Sequence, residues 1–218
     1  MKRQLLFCFA FLSAFASSKA QTLVNNMSST NGDVYAVYKK GGSYYIGGTF
    51  SYVGLNTGYG ALSKFSNDYP NMTFPQFNGV VYALIPDGSG GWYAGGSFTL
   101  VGGVAKSYLA HIKSNNTVDN SFTANCNNQV RTILKYNGRL YIGGYFTTVN
   151  STIRNYAAAV NPTTGALVSA WNPNPNNVVN SIAVAFGADT TLWLGGNFTT
   201  VNSANLSRPY LARVNTTN

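Results

Sequence analysis

A pair of adjacent glycines recurs four times in this chain inside apolar, strand-like sequence. The four copies read YIGGTFSYV, YAGGSFTLV, YIGGYFTTV and WLGGNFTTV, and the pairs are 48, 48 and 52 residues apart. The shared frame consists of Gly47, Gly48 and Phe50, Gly95, Gly96 and Phe98, Gly143, Gly144 and Phe146, and Gly195, Gly196 and Phe198. Units of this length bury their apolar faces by stacking on one another. The frame therefore predicts an array of four like units.

Each unit contains further extended segments around the glycine pair. A valine opens a first run before each pair, at Val34, Val81, Val130 and Val179, and a third run follows: GALSKF, YLAHI, YAAAV and YLARV. A looser fourth segment ends the first three copies: NMTFPQF, VDNSFTA and LVSAWNP. Turn sequences such as PDGSGG and YNGR separate the first two runs. No sustained helical periodicity appears in the mature chain, so little helix is expected.

Four short strands repeating every 40 to 50 residues are typical of β-propeller blades. We therefore predict an all-β fold, a propeller-like array of four four-stranded repeats covering about 33–78, 79–127, 128–176 and 177–218. Because glycine lacks a Cβ atom, each pair leaves a notch over which a neighbour can close. We expect the phenylalanine two residues later to fill the gap between repeats beside that notch.

The repeats resemble the delta-60 repeat family of secreted β-propeller-like proteins. The third copy supplies GGYFTTVN, Arg154, YAAAVNPTTG and SAWNP; the fourth supplies GGNFTTVN, Arg208 and YLARVN; the second supplies GGSFTLVGG, Lys106 and YLAHI. The first copy departs most, with Gly58 in place of the basic residue. The double glycine and Trp171 give a weaker resemblance to kelch repeats, which lack the Phe-Thr-x-Val tail. Both resemblances imply a propeller and neither implies a particular activity.

The ends of the repeat region leave two arrangements open. The segment TLVNNMSST stands where a final segment would precede the first copy, and could complete the last repeat and close the ring. Alternatively, the four repeats begin a longer propeller.

Residues 1–20 have the order of a secretory signal peptide. Lys2 and Arg3 precede an apolar run of about 11 residues, too short to span a bilayer, and small residues follow. We expect the mature domain, 21–218, to be secreted, extracellular or on the cell surface.

Removing Lys2, Arg3 and Lys19 leaves 11 basic residues against five acidic ones, a net charge of +6. These charges are scattered rather than clustered, which argues against nucleic-acid binding.

The sequence offers little for catalysis. Five aspartates are scattered, glutamate is absent, and the single histidine, His111, occupies a position where other repeats have Lys64, Ala159 and Arg213. Cys126 is the only mature cysteine and has no histidine near it in the repeat register. No cluster has metal-ligand spacing. We therefore predict no catalytic residue, metal site or cofactor, and no enzyme activity.

One set of loop residues is a candidate for ligand contact. Lys106, Arg154 and Arg208 follow their glycine pairs by 10 to 12 residues, and Tyr52 and Tyr59 occupy the corresponding loop of the first copy. They could form a basic and aromatic rim; alternatively, each cation caps backbone carbonyls of a neighbouring repeat, which we favour.

The resulting interpretation is a secreted, non-enzymatic scaffold for binding, adhesion or extracellular assembly, with an unknown extracellular protein or glycan as partner. The alternative is a non-catalytic propeller module of an extracellular carbohydrate-active enzyme.

Overall fold

The computed structural model describes residues 30, 32–40, 43–50, 52–53, 55–56, 60–64, 73–185, 190–202 and 206–217. Within these residues every regular element is a β-strand and no helix occurs, so the all-β prediction is confirmed. The described residues accordingly include no helix that is long and apolar enough to cross a membrane. The predicted signal peptide lies outside the described residues, as does all but the last residue of TLVNNMSST.

The described residues form twenty strands, which follow one another in four sets of five. The first set is β1 (Val34–Lys40), β2 (Ser43–Gly48), β3 (Tyr52–Val53), β4 (Leu55–Asn56) and β5 (Gly60–Lys64). The second is β6 (Val81–Pro86), β7 (Trp92–Gly96), β8 (Leu100–Val101), β9 (Val104–Ala105) and β10 (Leu109–Ile112). The third is β11 (Val130–Tyr136), β12 (Arg139–Gly144), β13 (Thr148–Val149), β14 (Thr152–Ile153) and β15 (Ala157–Val160). The fourth is β16 (Val179–Val184), β17 (Thr191–Gly196), β18 (Thr200–Val201), β19 (Leu206–Ser207) and β20 (Leu211–Asn215).

Each set forms the same three-stranded antiparallel sheet. The strand that ends in the glycine pair lies in the middle, between the first and the last strand of its set. The turn joining β11 to β12 shows how the sequence encodes this: Asn137 and Gly138 have φ of 46° and 69°, the left-handed values that an Asn-Gly hairpin turn requires. Repeated sequence therefore produces repeated topology.

Two features differ from the predicted four-stranded unit. The loop after each glycine pair folds into a small two-stranded hairpin, as in the pairing of β13 with β14. The fourth segment is not a full strand: Val118 makes one isolated bridge to β10, and Leu167 makes one to β15. A local turn ends this pairing in the second repeat, because the Asp119 side chain accepts a hydrogen bond from the Ser121 N–H at 3.0 Å.

The hydrophobic core lies mainly between consecutive sheets. One cluster joins Tyr93, Leu109 and Phe122 of the second repeat to strands β11, β12 and β15 of the third, and an equivalent cluster lies between the third and fourth sheets. The four frame phenylalanines, Phe50, Phe98, Phe146 and Phe198, are all fully buried. The core thus depends on contacts between neighbouring units, as expected for a repeat array.

In the first three pairs, the first glycine is covered by the next repeat. A Cβ on Gly47 would lie 2.8 Å from Cγ1 of Val81, and one on Gly95 would lie 2.7 Å from Cγ1 of Val130. The notch at the first glycine is therefore filled by the valine that opens the following repeat, while the Phe98 ring lies beside the second glycine of its pair, with Cδ1 2.8 Å from the Cβ position of Gly96. The valine reaches the notch because it stands at the start of the first strand, the strand that packs on the preceding sheet.

Candidate binding cavity

A β-bulge interrupts the first strand of every repeat at the same place. In the third repeat Val130 pairs with Gly144 and Thr132 with Gly143, so Arg131 is an extra residue between the paired positions. The equivalent extra residues are Tyr35, Tyr82 and Asn180. A bulge increases the local twist and redirects the side chain of the inserted residue. The fold thus presents one redirected side chain from each of its four sheets.

These four bulge residues line a single cavity, which we call the bulge cavity. It is lined by Tyr35, Tyr82, Arg131 and Asn180 and has a volume of about 450 Å³. This lies within the 300–1,000 Å³ range of small-molecule sites. Four positions that are separated by nearly fifty residues in sequence therefore meet at one place in the fold.

Arg131 provides the positive charge of the bulge cavity. Its guanidinium carbon lies 4.3 Å from the centroid of the Tyr82 ring and 5.1 Å from that of Tyr145, which are cation–π distances. Its Nε atom is buried without a hydrogen-bond partner. Among the described residues no carboxylate is within ion-pair distance of Arg131. The guanidinium is thus held in place by aromatic rings, and no carboxylate of the described part of the chain neutralises its charge.

The other lining residues contribute aromatic and amide groups. The rings of Tyr35 and Tyr82 are 5.6 Å apart between centroids, and the Tyr35 hydroxyl donates to Oδ2 of Asp33 at 3.4 Å. The Asn180 amide donates to Oδ1 of Asn197 at 3.2 Å, which fixes its orientation. A planar cation beside ring faces and an amide can hold a flat or ring-shaped ligand that carries a carboxylate, because guanidinium binds carboxylate with two parallel hydrogen bonds.

Two of the predicted rim cations are directed into their own repeats. Lys106 is buried and its Nζ donates to the carbonyl oxygens of Asp119 and Phe122, both at 2.7 Å. Arg154 is also buried and donates to the carbonyl oxygens of Ile153 and Ser169, at 2.8 and 3.0 Å. The cations therefore cap carbonyls, but those of the fourth segment and hairpin of the same repeat rather than those of a neighbour. Burial lowers the pKa of Lys106, and the nearby charge of Asp119 opposes that shift.

The remaining predicted rim residues are not brought together with them. Arg208 is exposed and donates to the carbonyl of the adjacent Ser207 at 2.9 Å. Tyr52 lies in β3, where only its backbone is described, and Tyr59 lies outside the described residues. None of the five predicted residues lines the bulge cavity.

His111 is held between two buried carboxylates. Its Nδ1 atom lies 2.8 Å from Oδ2 of Asp119, and its Nε2 atom lies 3.1 Å from Oδ2 of Asp87. The Tyr93 ring stacks on the imidazole with 4.6 Å between centroids. The cluster ties together the β6–β7 turn, strand β10 and the fourth segment of one repeat. Both ring nitrogens of His111 are thus engaged inside the protein.

The two carboxylates of this cluster titrate at low pH. Burial alone would raise the pKa of Asp119, but hydrogen bonds from Ser121, His111 and Lys113 outweigh it and hold that pKa below its ordinary value. Asp87 shows the same balance between burial and the hydrogen bonds that it accepts from Ser89, His111 and Gly91, so its pKa is also lowered. These groups are therefore ionised partners in an internal network.

Neither metal binding nor thiol chemistry has a prepared site in the described part of the chain. No group of three or more His, Cys, Asp or Glu side chains there could hold a metal ion. Cys126 is buried, and burial raises its pKa to about 12. The reactive thiolate is therefore scarce near neutral pH.

The bulge residues were missed by sequence reasoning, although one signal was available. Each directly follows the valine that opens a repeat, and the residue type at this position differs between repeats: Tyr, Tyr, Arg and Asn. Comparison with known proteins adds no assignment: no protein-family model and no curated protein matches this chain.

Proposed function

We propose that this protein is a secreted, non-enzymatic repeat protein of β-propeller type that binds an extracellular ligand at the bulge cavity. The observation that carries this proposal is that Tyr35, Tyr82, Arg131 and Asn180, equivalent positions of four repeats, line one cavity. A scaffold for binding or adhesion uses such a convergent position as its recognition site. The signal-like sequence of residues 1–20 supports secretion.

The packing of the sheets supports the propeller arrangement. First strands of consecutive repeats pack on one another, β1 with β6, β6 with β11 and β11 with β16. In a propeller the first strands of all blades line the central channel. The bulge cavity then corresponds to that channel, and the variable bulge residues determine what enters it.

The surroundings of His111 and Cys126, the side chains best suited to acid–base or nucleophilic catalysis, support a role without catalysis. A general base must reach a substrate proton, whereas the ring nitrogens of His111 contact Asp87 and Asp119. A nucleophilic cysteine must be accessible and ionised, whereas Cys126 is buried with a raised pKa.

The chemistry of Arg131 points to a carboxylate on the ligand. A guanidinium that is oriented by two rings and has no carboxylate partner among the described residues gains most from an anionic, planar partner. Uronic acid sugars and peptide C-termini both present this group. The rings of Tyr35 and Tyr82 add an apolar surface for a sugar ring or a side chain.

The test compares free acids with their neutral derivatives. Calorimetric titrations would use an oligogalacturonate and its methyl ester, and a tetrapeptide with a free or an amidated C-terminus, at 0.15 M salt to limit non-specific attraction. We expect one free acid to bind at least about tenfold more tightly than its neutral form, because a hydrogen bond to a charged group contributes about 1.5–3 kcal/mol. The R131Q variant should lose this preference.

The matched control is R208Q, which removes an exposed cation of the same charge outside the bulge cavity. We expect its affinity to equal that of the wild type. Equal binding of acid and neutral forms, unchanged binding by R131Q, or no binding of any of these probes would overturn the proposal. Which pair of probes shows the preference distinguishes a glycan from a peptide ligand.

A further inference from the structure

No described residue of another repeat occupies the notch in the fourth sheet. At the three earlier glycine pairs a valine of the next repeat lies within 2.8 Å of the Cβ position, with Val179 2.7 Å from that of Gly143. At Gly195 the one described atom within 4 Å of that position is Cβ of Ser181, at 3.8 Å, in a residue of the same sheet. The fourth sheet therefore carries the receiving half of the contact without its partner.

The apolar residues around this notch are exposed. Trp193 is 38% exposed, whereas its equivalents Tyr93 and Tyr141 are buried under the following repeat. Leu211 is 56% exposed, whereas its equivalents Leu109 and Ala157 are fully buried. We call Trp193, Gly195 and Leu211 the terminal face. Its residue types match those at the junctions between consecutive sheets, but no described sheet covers it.

The first sheet carries the opposite half of the same contact. Val34 is 40% exposed, whereas Val81, Val130 and Val179 are buried. Val37 is 63% exposed, and its equivalent in the third repeat, Ile133, reaches within 3.0 Å of the Cβ position of Gly95. Val34 and Val37 form the leading face. Two complementary apolar surfaces thus remain uncovered on the described part of the chain.

We propose that the terminal face of one molecule binds the leading face of a second copy, with Val34 inserted over Gly195. The three internal junctions specify this occupant, since each shows a first-strand valine seated on a glycine of the preceding sheet. In the structure Val34 does not occupy the notch of its own chain. Because the two faces differ, the contact is heterologous, and copies close into a ring or continue as a filament.

This association is independent of the ligand proposed for the bulge cavity. The terminal and leading faces include none of the four residues that line the cavity. The variant R131Q should therefore associate as the wild type does, so failure of one proposal leaves the other standing.

Sedimentation velocity of the full chain over a range of concentrations tests the contact. We expect the wild type to associate, and G195V to bind its own copies at least about tenfold more weakly because the new side chain fills the notch. The substitution suits the monomer, since Gly195 lies in a strand with free space above it. The variant V34D should have the same effect, because it places a charge in an apolar junction.

The matched control for V34D is I153D, since Ile153 is a 70% exposed strand residue in the hairpin of the third repeat and belongs to neither face. It should associate as the wild type does. A monomeric wild type, or association that G195V and V34D leave unchanged, would overturn the proposal. Circular dichroism would verify that each variant is folded.

Cysteine cross-linking identifies the contacting residues directly. In a chain with Cys8→Ser, V34C and G195C would be made on separate molecules and mixed under mild oxidation. Valine Cβ atoms at the internal junctions lie 3.1–3.2 Å from the glycine Cβ position, close to the spacing of a disulfide. We expect a mixed disulfide dimer. A bridge formed only within one chain carrying both cysteines, or no bridge at all, would contradict the contact between copies.

Discussion

The Cγ1 atom of Val179 lies 2.7 Å from the point where a side chain on Gly143 would begin. The valine that opens one repeat therefore occupies the space that the preceding repeat leaves free. The same relationship joins Val81 to Gly47 and Val130 to Gly95. It explains why a glycine and a valine 34 to 36 residues apart recur together in the sequence.

Removal of the Phe146 ring should destabilise the protein strongly. The side chain is fully buried in the cluster between the second and third sheets, so F146A leaves a cavity and should cost about 3–5 kcal/mol of unfolding free energy. Urea titration measures this value. Y145A is the control, because Tyr145 is adjacent but 38% exposed, and should cost less than about 1 kcal/mol. A loss of only a few tenths for F146A would show that the ring is not buried.

Lys106 should matter for stability and Arg208 should not. The substitution K106M keeps most of the apolar stem but leaves the buried carbonyls of Asp119 and Phe122 without their donor, so we expect a loss of about 1–3 kcal/mol. R208M removes an exposed cation and should change the unfolding free energy by less than about 0.5 kcal/mol. Parallel denaturant titrations of K106M and R208M measure the two unfolding free energies. Similar values for both would mean that Lys106 faces solvent.

Stability should fall on acidification below the ordinary pKa of aspartate. The pKa of Asp119 is lowered in the folded state, so the unfolded chain binds more protons as the pH falls below about 4. The contribution of Asp119 is therefore fully present above that pH and is lost progressively towards its lowered folded-state pKa. Thermal unfolding from pH 6 to pH 2 measures this slope. D119N should show a shallower slope, and an unchanged slope would remove Asp119 as its source.

The strands were predictable from sequence because their determinants are local. Asn137-Gly138 adopts the turn that its residue types favour, and the valine-led and glycine-ended runs form the first and second strands. The fourth segment was harder to predict, because Asp119 turns the chain by a side-chain hydrogen bond just after Val118 has paired. Local composition suggested a full strand there, whereas the segment pairs at Val118 and then turns.

The bulge cavity could not be predicted in the same way. Tyr82 and Arg131 come together only because each first strand contains one residue more than its partner accommodates. That register shift depends on how two strands pair, and no particular residue type marks it in the sequence. The basic residues that sequence reasoning selected instead, such as Lys106, bind carbonyls within their own repeat.

The central claim of this account is that each repeat fits a valine onto the bare backbone of the repeat before it. The decisive measurement is the unfolding free energy of G143A and G195A at low protein concentration. We predict that G143A loses about 1–3 kcal/mol, because its methyl group would collide with Val179 and Thr132. G195A should be unchanged or gain up to about 1 kcal/mol, since its notch is open and alanine suits a strand better than glycine. Equal effects of the two substitutions would contradict the account.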